Sequence, residues 1–287
     1  ANIVSENATM QVAGAFNAAR SSSLQLSGAI NIATDTADVQ LSGAMNMAKE
    51  NKVQISGAVN MAQESSVQLS GAVNIAPKSA TTQITGAVNI AGKTNVQIAA
   101  VNIARHVKNL QLGVINIADS CSGIPLGLFS YVRSGYHRLE ASIDESSFAT
   151  IAYRSGVQRF HTFFEAGIAT KQMPDRLFTW GYGFGTSLGK TPKLLVDFDL
   201  SVRQFASTHT FLQNGKQFKL YCGIDRKIAS RLSVAVGVAY NMLVYKNSEA
   251  NQQAYSSIAP YTLTNNISGS NTCLKSWIGG KVALRFL

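Results

Sequence analysis

A ten-residue pattern that recurs through the first 120 residues constrains this chain more than any other feature. One copy, Val67–Ala76, reads VQLSGAVNIA. Successive copies place an asparagine 13 to 15 residues apart, at Asn17, Asn31, Asn46, Asn60, Asn74, Asn89, Asn102 and Asn116. A glycine recurs in nearly every copy, at Gly14, Gly28, Gly43, Gly57, Gly71, Gly86, Gly113 and Gly127. Copies this short cannot bury a core alone, so neighbouring copies must stack on one another.

Each copy alternates between aliphatic residues and amide or small residues. In Val67–Ala76 the aliphatic side chains occupy every second position, apart from a break at the central Gly71. A period of two residues predicts β-strand rather than helix. The polar segments between copies predict turns, for example Thr34–Asp38, Lys49–Lys52 and Gln63–Ser66.

The repeats fit a β-solenoid in which each copy forms one coil that bends at Ser-Gly. A glycine suits such a bend because it has no Cβ atom. In this interpretation the aliphatic face fills the interior. The recurring Asn and Gln side chains form ladders, in which each amide hydrogen-bonds its own copies along the stack. Ten coils spaced about 4.8 Å apart give a rod roughly 45 Å long.

An antiparallel meander is the alternative, with each copy forming one straight strand. A four-residue turn cannot return a ten-residue strand to a parallel start, so straight strands require antiparallel pairing. The repeats would then extend one barrel of about 18 strands and form a channel. Two observations favour the solenoid. A central glycine weakens a straight strand, and the repeats contain no Tyr or Trp, which lipid-facing strands usually carry at the membrane interfaces.

Composition divides the chain into two parts. Residues 1–120 contain one aromatic residue, Phe16, whereas the other 23 lie between Phe129 and Phe286. Residues 1–120 carry seven Lys/Arg and six Asp/Glu, and residues 121–287 carry 18 and nine. We therefore predict a tandem β-repeat domain over residues 1–132 and a second domain over 133–287. The basic residues of the second part are scattered and form no known nucleic-acid-binding motif, which argues against nucleic acid as a partner.

The second part predicts an eight-stranded antiparallel transmembrane β-barrel. Its segments alternate apolar residues with polar or small ones, as in Leu194–Arg203, and barrel walls show this pattern. The predicted strands are 136–144, 147–155, 158–170, 178–189, 193–206, 216–228, 231–245 and 275–287. Short periplasmic turns would lie near Gly156, at Gly189–Pro192 and at Ala229–Ser230. The predicted outer loops are Lys171–Leu177, Ser207–Gly215 and Lys246–Leu274, and short turns opposite longer loops are typical of outer-membrane barrels.

The last residues resemble the C-terminal signal that the outer-membrane assembly machinery reads. That signal has a glycine followed by alternating apolar residues that end on an aromatic one. Gly280, Val282, Leu284 and Phe286 match it, whereas Leu287 extends one residue past the aromatic position. We expect the three apolar side chains to face lipid.

The chain also resembles the surface-repeat proteins of Gram-negative bacteria. The resemblance rests on the tandem units such as Val67–Ala76, on Asn116–Ser120, on Gly123–Leu128 and on Gly135–Glu140. It covers most of the chain and implies a location in the bacterial outer membrane. No signal peptide stands at the start, and we expect an exported protein to have lost it already. The chain also begins within a repeat, so we expect that upstream sequence has been removed. The family brings no assigned chemistry to any residue.

No constellation of residues predicts an enzyme, a cofactor or a metal site. His137 and Glu140 are three residues apart, and an odd spacing places two side chains on opposite faces of a strand. Residues His161 and Glu165 share a face but lie about 13 Å apart. The spacing of Cys121, Cys222 and Cys273 does not match a metal site. The sequence leaves two alternatives for Cys222 and Cys273, a disulfide between them or free thiols. Interior ion pairs are predicted instead, from Asp197, Asp199, Arg203, Asp225 and Arg226.

These observations predict a structural or interaction protein anchored in the outer membrane. The barrel would hold it in lipid or lipopolysaccharide, and the repeat array would present its ladders to a partner or act as a plug. Expected partners are the assembly machinery and other outer-membrane protein subunits. The channel of about 18 strands is the second hypothesis, and a lipid-modifying barrel enzyme is the third.

Overall fold

The chain forms two compact units, Ala1–Gly135 and Tyr136–Leu287. The computed structural model describes residues 1–169, 177–191, 193–207, 215–255, 258, 261–268 and 271–286. The boundary lies three residues beyond the division predicted after residue 132. All residues of the first unit are described.

The first unit is a β-solenoid of about nine coils, and its strands pair in parallel throughout. The predicted solenoid is therefore confirmed, and the antiparallel meander of about 18 strands is wrong. The strands are Asn2–Ile3, Asn7–Ala13, Phe16–Ala19, Ser21–Ser27, Ile30–Ala33, Thr36–Ser42, Met45–Ser56, Val59–Ser70, Val73–Thr85, Val88–Ile98, Val101–Leu112, Ile115–Cys121, Ile124–Leu126 and Phe129–Val132.

Equivalent residues of neighbouring coils stack directly on one another. Asn60 is in register with Asn74, and Gln68 with Gln83. Each coil has two facing arms, one around its Asn and one around its Gln, which meet at the Ser-Gly bend. In the central coils the strands continue through the polar segments that the sequence predicted as turns. The extra residue in a 15-residue copy is accommodated there, as in the register shift between Met61 and Glu64.

The amide residues, not the aliphatic ones, fill the solenoid interior. The repeat Asn and Gln side chains are fully buried, and small residues such as Ala76 and Ala80 fill the space beside them. The aliphatic residues Val67, Leu69 and Ile75 point outward and are only partly covered by their neighbours. The expectation that the aliphatic face fills the interior is wrong. The narrow space between the arms suits amides that hydrogen-bond one another, and it leaves the branched side chains outside.

The repeat glycines are required by the close approach of successive coils. A Cβ atom on Gly57 would lie 2.1 Å from the carbonyl oxygen of Gly43, and one on Gly71 would lie 2.2 Å from that of Gly57. No repeat glycine has a positive φ. The bend therefore depends on the missing side-chain atom and not on an unusual backbone conformation. Gly14, in the first complete bend, would meet nothing within 4 Å.

The second unit is a closed antiparallel β-barrel, as predicted. Eight strands of the described residues form it, and the first pairs with the last, with Leu139 opposite Phe286 and Asp144 opposite Lys281. The strands are Tyr136–Asp144, Ser147–Val157, Phe160–Ala169, Leu177–Thr191, Leu194–Ser207, Lys216–Ala229, Leu232–Lys246 and Thr272–Phe286.

One predicted outer loop contains secondary structure that the sequence did not indicate. Within 246–274 the structure has a short helix, Glu249–Tyr255, and a further strand, Thr264–Ser268, which pairs with the last barrel strand. Most of the other two predicted outer loops lies outside the described residues, as do Thr170 and Leu287, the predicted ends of two strands.

Substituting Gly57 with alanine tests the stacking of the glycine bends. The new Cβ atom collides with the Gly43 carbonyl, so Gly57→Ala should lower the stability of the solenoid by about 1–3 kcal/mol, the usual cost of overpacking. Gly14→Ala is the control and should be nearly neutral, because its Cβ atom meets nothing. Thermal unfolding followed by circular dichroism measures both. Equal melting temperatures for the two variants would contradict the close approach.

Candidate functional site: the polar interiors and the surfaces they support

Two amide ladders run in opposite directions through the solenoid. Asn60 Nδ2 donates forward to Asn74 Oδ1 at 3.1 Å, whereas Gln68 Nε2 donates backward to Gln54 Oε1 at 2.8 Å. The same amides also reach across the coil. Asn60 donates to the Leu69 carbonyl at 2.7 Å, and Gln68 donates to the Ile75 carbonyl at 3.2 Å. Each ladder therefore links successive coils and ties the two arms of the solenoid together.

The ladders extend through the repeat array. The Asn ladder includes all eight predicted residues, from Asn17 to Asn116, and continues from Asn2 to Ser130. The Gln ladder joins Gln11, Gln25, Gln40, Gln54, Gln68, Gln83, Gln97 and Gln111. All eight Asn side chains are fully buried. They offer no surface to a partner, so the expectation that the ladders face outward is wrong.

The barrel interior contains a network of buried ion pairs. Glu140 accepts from Arg154 and from Arg285, both at 2.8 Å. Arg154 also forms a bidentate ion pair with Asp199, in which Nη1 donates to Oδ1 at 3.0 Å and Nη2 donates to Oδ2 at 2.6 Å. Because these side chains come from strands on different sides of the barrel, the network holds the strands together across the lumen.

A second group of ion pairs centres on Arg203. Its guanidinium donates to Asp144 at 2.8 Å and to Glu165 at 2.7 and 2.9 Å. Lys219 reaches the same Asp144 at 2.5 Å. All four side chains are buried. Buried charges are tolerated when they are paired and hydrogen-bonded in this way.

Four of the five residues predicted for interior ion pairs lie inside the barrel. Asp197, Asp199, Arg203 and Asp225 are buried, and Arg285 pairs with both Asp197 and Asp225. Arg226 is exposed on the outer surface, so that prediction is wrong. It directly follows the inward-facing Asp225, and neighbouring residues of a strand point to opposite faces.

Several members of this network were not predicted from the sequence. The interior cations Arg154, Lys281 and Arg285 and the anions Glu140 and Asp144 were not among the predicted residues. Alternation would have found Arg285, which lies between the outward-facing Leu284 and Phe286, and Glu140, which lies between the outward-facing Leu139 and Ala141. The other three each have a neighbour that is not apolar and outward-facing, or has no side chain: Ser155, Glu145 and Gly280.

The histidines considered for catalysis occupy structural positions. His161 is fully buried, stacks on Tyr136 at 4.6 Å between ring centroids, and contacts Arg154 at 3.0 Å. His137 contacts the Tyr153 hydroxyl at 3.2 Å. Glu165, which shares a face with His161, is bound by Arg203. His161 and Glu140 both contact Arg154, and His161 Nε2 lies 3.7 Å from Asp199 Oδ1, so both belong to the buried ion-pair network.

An apolar cluster fills the barrel interior beyond the ion pairs. It includes Leu243, Tyr245, Trp277 and, from the short helix, Tyr255. Trp277 Nε1 donates to Glu145 at 2.9 Å. Burial raises the pKa of Tyr255, although the backbone N–H of Gly215 donates to its hydroxyl at 3.2 Å and opposes the shift.

The outer surface of the barrel is a belt of exposed apolar side chains. Phe198, Leu200 and Val238 belong to it, as do Trp180 and Phe184. The predicted assembly-signal residues Val282, Leu284 and Phe286 are also exposed on this surface, on the strand that closes the barrel. Gly280, in the same strand as these three residues, pairs with Val238 of the neighbouring strand Leu232–Lys246.

Neither a protein-family model nor a curated protein matches this chain. In the described residues no helix is long and apolar enough to span a membrane. No group of His, Cys, Asp or Glu in that part of the chain is arranged to hold a metal ion. All three cysteines are free, and burial raises the pKa of the Cys121 thiol.

Replacing one ladder asparagine tests the contribution of the amides. Asn74→Leu keeps the size of the side chain but leaves Asn89 Oδ1 and the Gln68 and Ile84 carbonyls without their amide donor. We expect a loss of about 3 kcal/mol in the free energy of unfolding. Asn109→Leu, at an exposed position, should change it little. Chemical denaturation compares the two variants, and equal midpoints would show that the ladder contributes nothing.

Removing the central arginine of the second ion group tests the barrel interior. Arg203→Met leaves Asp144 without one partner and Glu165 without its ion pair, so the barrel should lose about 3–5 kcal/mol of stability. The control, Arg226→Met, removes an exposed arginine and should have little effect. Samples are heated to increasing temperatures and then run on detergent gels. The temperature at which the band of the folded barrel disappears measures the difference between the variants. Identical temperatures for both variants would rule out a structural role for the pairs.

Proposed function

We propose that this chain is an interaction protein anchored in the bacterial outer membrane, an accessory subunit of a larger outer-membrane complex. The observation that carries the proposal is the polarity of the barrel, which has charged residues inside and apolar residues outside. Phe198 and Val238 are exposed, whereas Arg154 and Arg203 are buried. A barrel in water would bury its apolar face, and one in lipid shows this arrangement.

The strand lengths support a position across a membrane. A tilted transmembrane strand needs about 9–11 residues, and the barrel strands have 9 to 15. A closed barrel also leaves no unpaired strand edge in the hydrocarbon, where unpaired backbone groups cost several kcal/mol each.

The end of the barrel with the short turns has a basic rim. The rim consists of Arg159, Lys193, Arg226, Lys227 and Arg231, and none of the described residues in these short turns is acidic. Positive side chains beside the apolar belt suit the phosphates of lipid headgroups. The rim therefore supports a contact with anionic lipid at this end.

The same interior argues against an open channel. Ion pairs and the apolar cluster occupy the lumen in the described residues, and the repeats add no strands to the barrel. The resemblance to surface-repeat proteins supports an envelope location, and the solenoid would be the part that meets other components. We do not propose an enzyme, because the described histidines lie in structural contacts.

Arginine substitutions at two depths test the membrane anchor. Val238→Arg places a charge halfway along a barrel strand, and Ile228→Arg places the same charge near the end of the neighbouring strand. In lipid, the first should cost about 2–4 kcal/mol and the second about 0–1 kcal/mol. Equilibrium unfolding from phospholipid vesicles measures both. If both substitutions cost the same small amount, the belt does not lie in lipid and the proposed anchor is wrong.

A further inference from the structure

Charge is confined to one edge of the solenoid. The seven Lys/Arg and six Asp/Glu of residues 1–120 all lie in the segments that lead from an Asn arm to the next Gln arm. We call this side the charged edge. Its members are Glu6, Arg20, Asp35, Asp38, Lys49, Glu50, Lys52, Glu64, Lys78, Lys93, Arg105, Lys108 and Asp119. Neighbouring coils form ion pairs there, such as Lys52–Asp38 at 2.9 Å.

The rest of each coil contains no charged residue. The Gln arm, the glycine bend and the Asn arm form one uncharged segment in every coil. These segments are 10–19, 24–33, 39–48, 53–62, 67–76, 82–91, 96–104, 110–118 and 124–132. Their amides are turned inward, so most of their outward side chains are aliphatic or small; Phe16, Phe129 and Tyr131 are aromatic exceptions, and Thr82 is a polar one.

Both outer faces of the solenoid are apolar, and so is the bend that joins them. Ile55 on the Gln arm is 39% exposed, and Ile117 on the Asn arm is 38% exposed. At the bend, Val114 is 48% and Leu128 57% exposed. Aliphatic rows that continue over nine coils form a larger apolar surface than monomeric proteins usually leave in water.

The depth of the apolar part matches one leaflet of a bilayer. From the glycine bend to the charged edge each arm has about five residues, or roughly 16 Å of strand. Half of the hydrocarbon core is about 15 Å. A wedge inserted with its bend first would therefore place the charged edge at the headgroups.

We propose that the solenoid is a membrane wedge, with both aliphatic faces and the glycine bend inserted in one leaflet of a lipid bilayer. Lipid is the occupant that the distribution of charge favours, because it surrounds two opposite faces and the bend between them. A second copy of the chain would cover one face and leave the other in water. This inference goes beyond the proposed anchor, which requires only that the barrel lies in lipid.

The buried ladders lower the free-energy cost of inserting the solenoid into hydrocarbon. The amide groups of the arms already have partners inside the coil, so the wedge exposes few polar side chains to hydrocarbon. Between the inner coils the parallel strands also satisfy their backbone groups, and only the two terminal coils have an unpaired side. The solenoid lacks interfacial Tyr and Trp on nearly all of its coils, and Lys, Asp and Glu occupy the boundary with water in their place.

Nitroxide labels on the full chain in phospholipid vesicles test the wedge. The three native cysteines are replaced, and single cysteines are introduced at Ile55 and Ile117 on the two faces and at Lys52 on the charged edge. A label at Val238 reports the barrel. We expect labels at Ile55, Ile117 and Val238 to collide at least several-fold more with oxygen than with a water-soluble nickel chelate. The label at Lys52 should show the opposite preference.

Each other outcome overturns the wedge and has its own meaning. If Ile55 and Ile117 collide freely with nickel while Val238 does not, the faces lie in water and the barrel anchor still stands. If they collide with neither reagent, a protein surface or a second copy covers them. If Val238 also collides with nickel, the proposed anchor fails as well.

A photo-crosslinking residue at Ile55, in the chain with its native cysteines, serves if the cysteine-free protein does not fold. Adducts with lipid at Ile55 and their absence at Lys52, detected by mass spectrometry, are the expected result. Adducts with a second copy of the chain at Ile55, or no lipid adduct there, would overturn the proposal.

Discussion

The amide-to-amide hydrogen bond inside the solenoid is the interaction on which the rest of that unit depends. An amide such as Asn60 or Gln68 bonds its copy in the next coil and a carbonyl of the opposite arm. Because every coil repeats this geometry, the interior must stay narrow and uniform, and only small residues fit beside the amides. The aliphatic side chains then have no interior to occupy. The exposed aliphatic faces are thus a consequence of the ladder.

In the barrel the polar side chains are also paired inside, with charged groups in place of amides. Its interior charged groups pair with one another through Arg154, Arg203 and Arg285, each of which contacts at least two carboxylates. Apart from the buried apolar cluster around Trp277, most of its large apolar side chains are on the outside. In both units most of the amide or charged side chains are paired inside, and most of the large apolar side chains face the surroundings. This shared polarity connects the proposed membrane anchor with the proposed wedge.

Much of the fold could be predicted from the sequence, because repeat spacing and alternation are local properties. The solenoid and the barrel strands followed from them, and so did the burial of Asp197 and Asp199. The helix Glu249–Tyr255 was missed because it packs on the barrel through Tyr255, a contact between distant residues. Arg226 was placed inside although it follows the inward-facing Asp225. The proposed lipid contacts were inferred from the apolar side chains that the structure exposes. The alternation in the sequence does not show which face of a strand is exposed.

The sequence by itself determined that each strand has one apolar and one polar face, since a period of two residues separates them. It also determined that like residues recur every 13 to 15 residues and can stack. Only the tertiary structure decided which face is inside. That choice depends on whether the polar side chains find hydrogen-bond or ion-pair partners inside, and those partners come from other coils or from other strands of the barrel. A single strand carries no information about those partners.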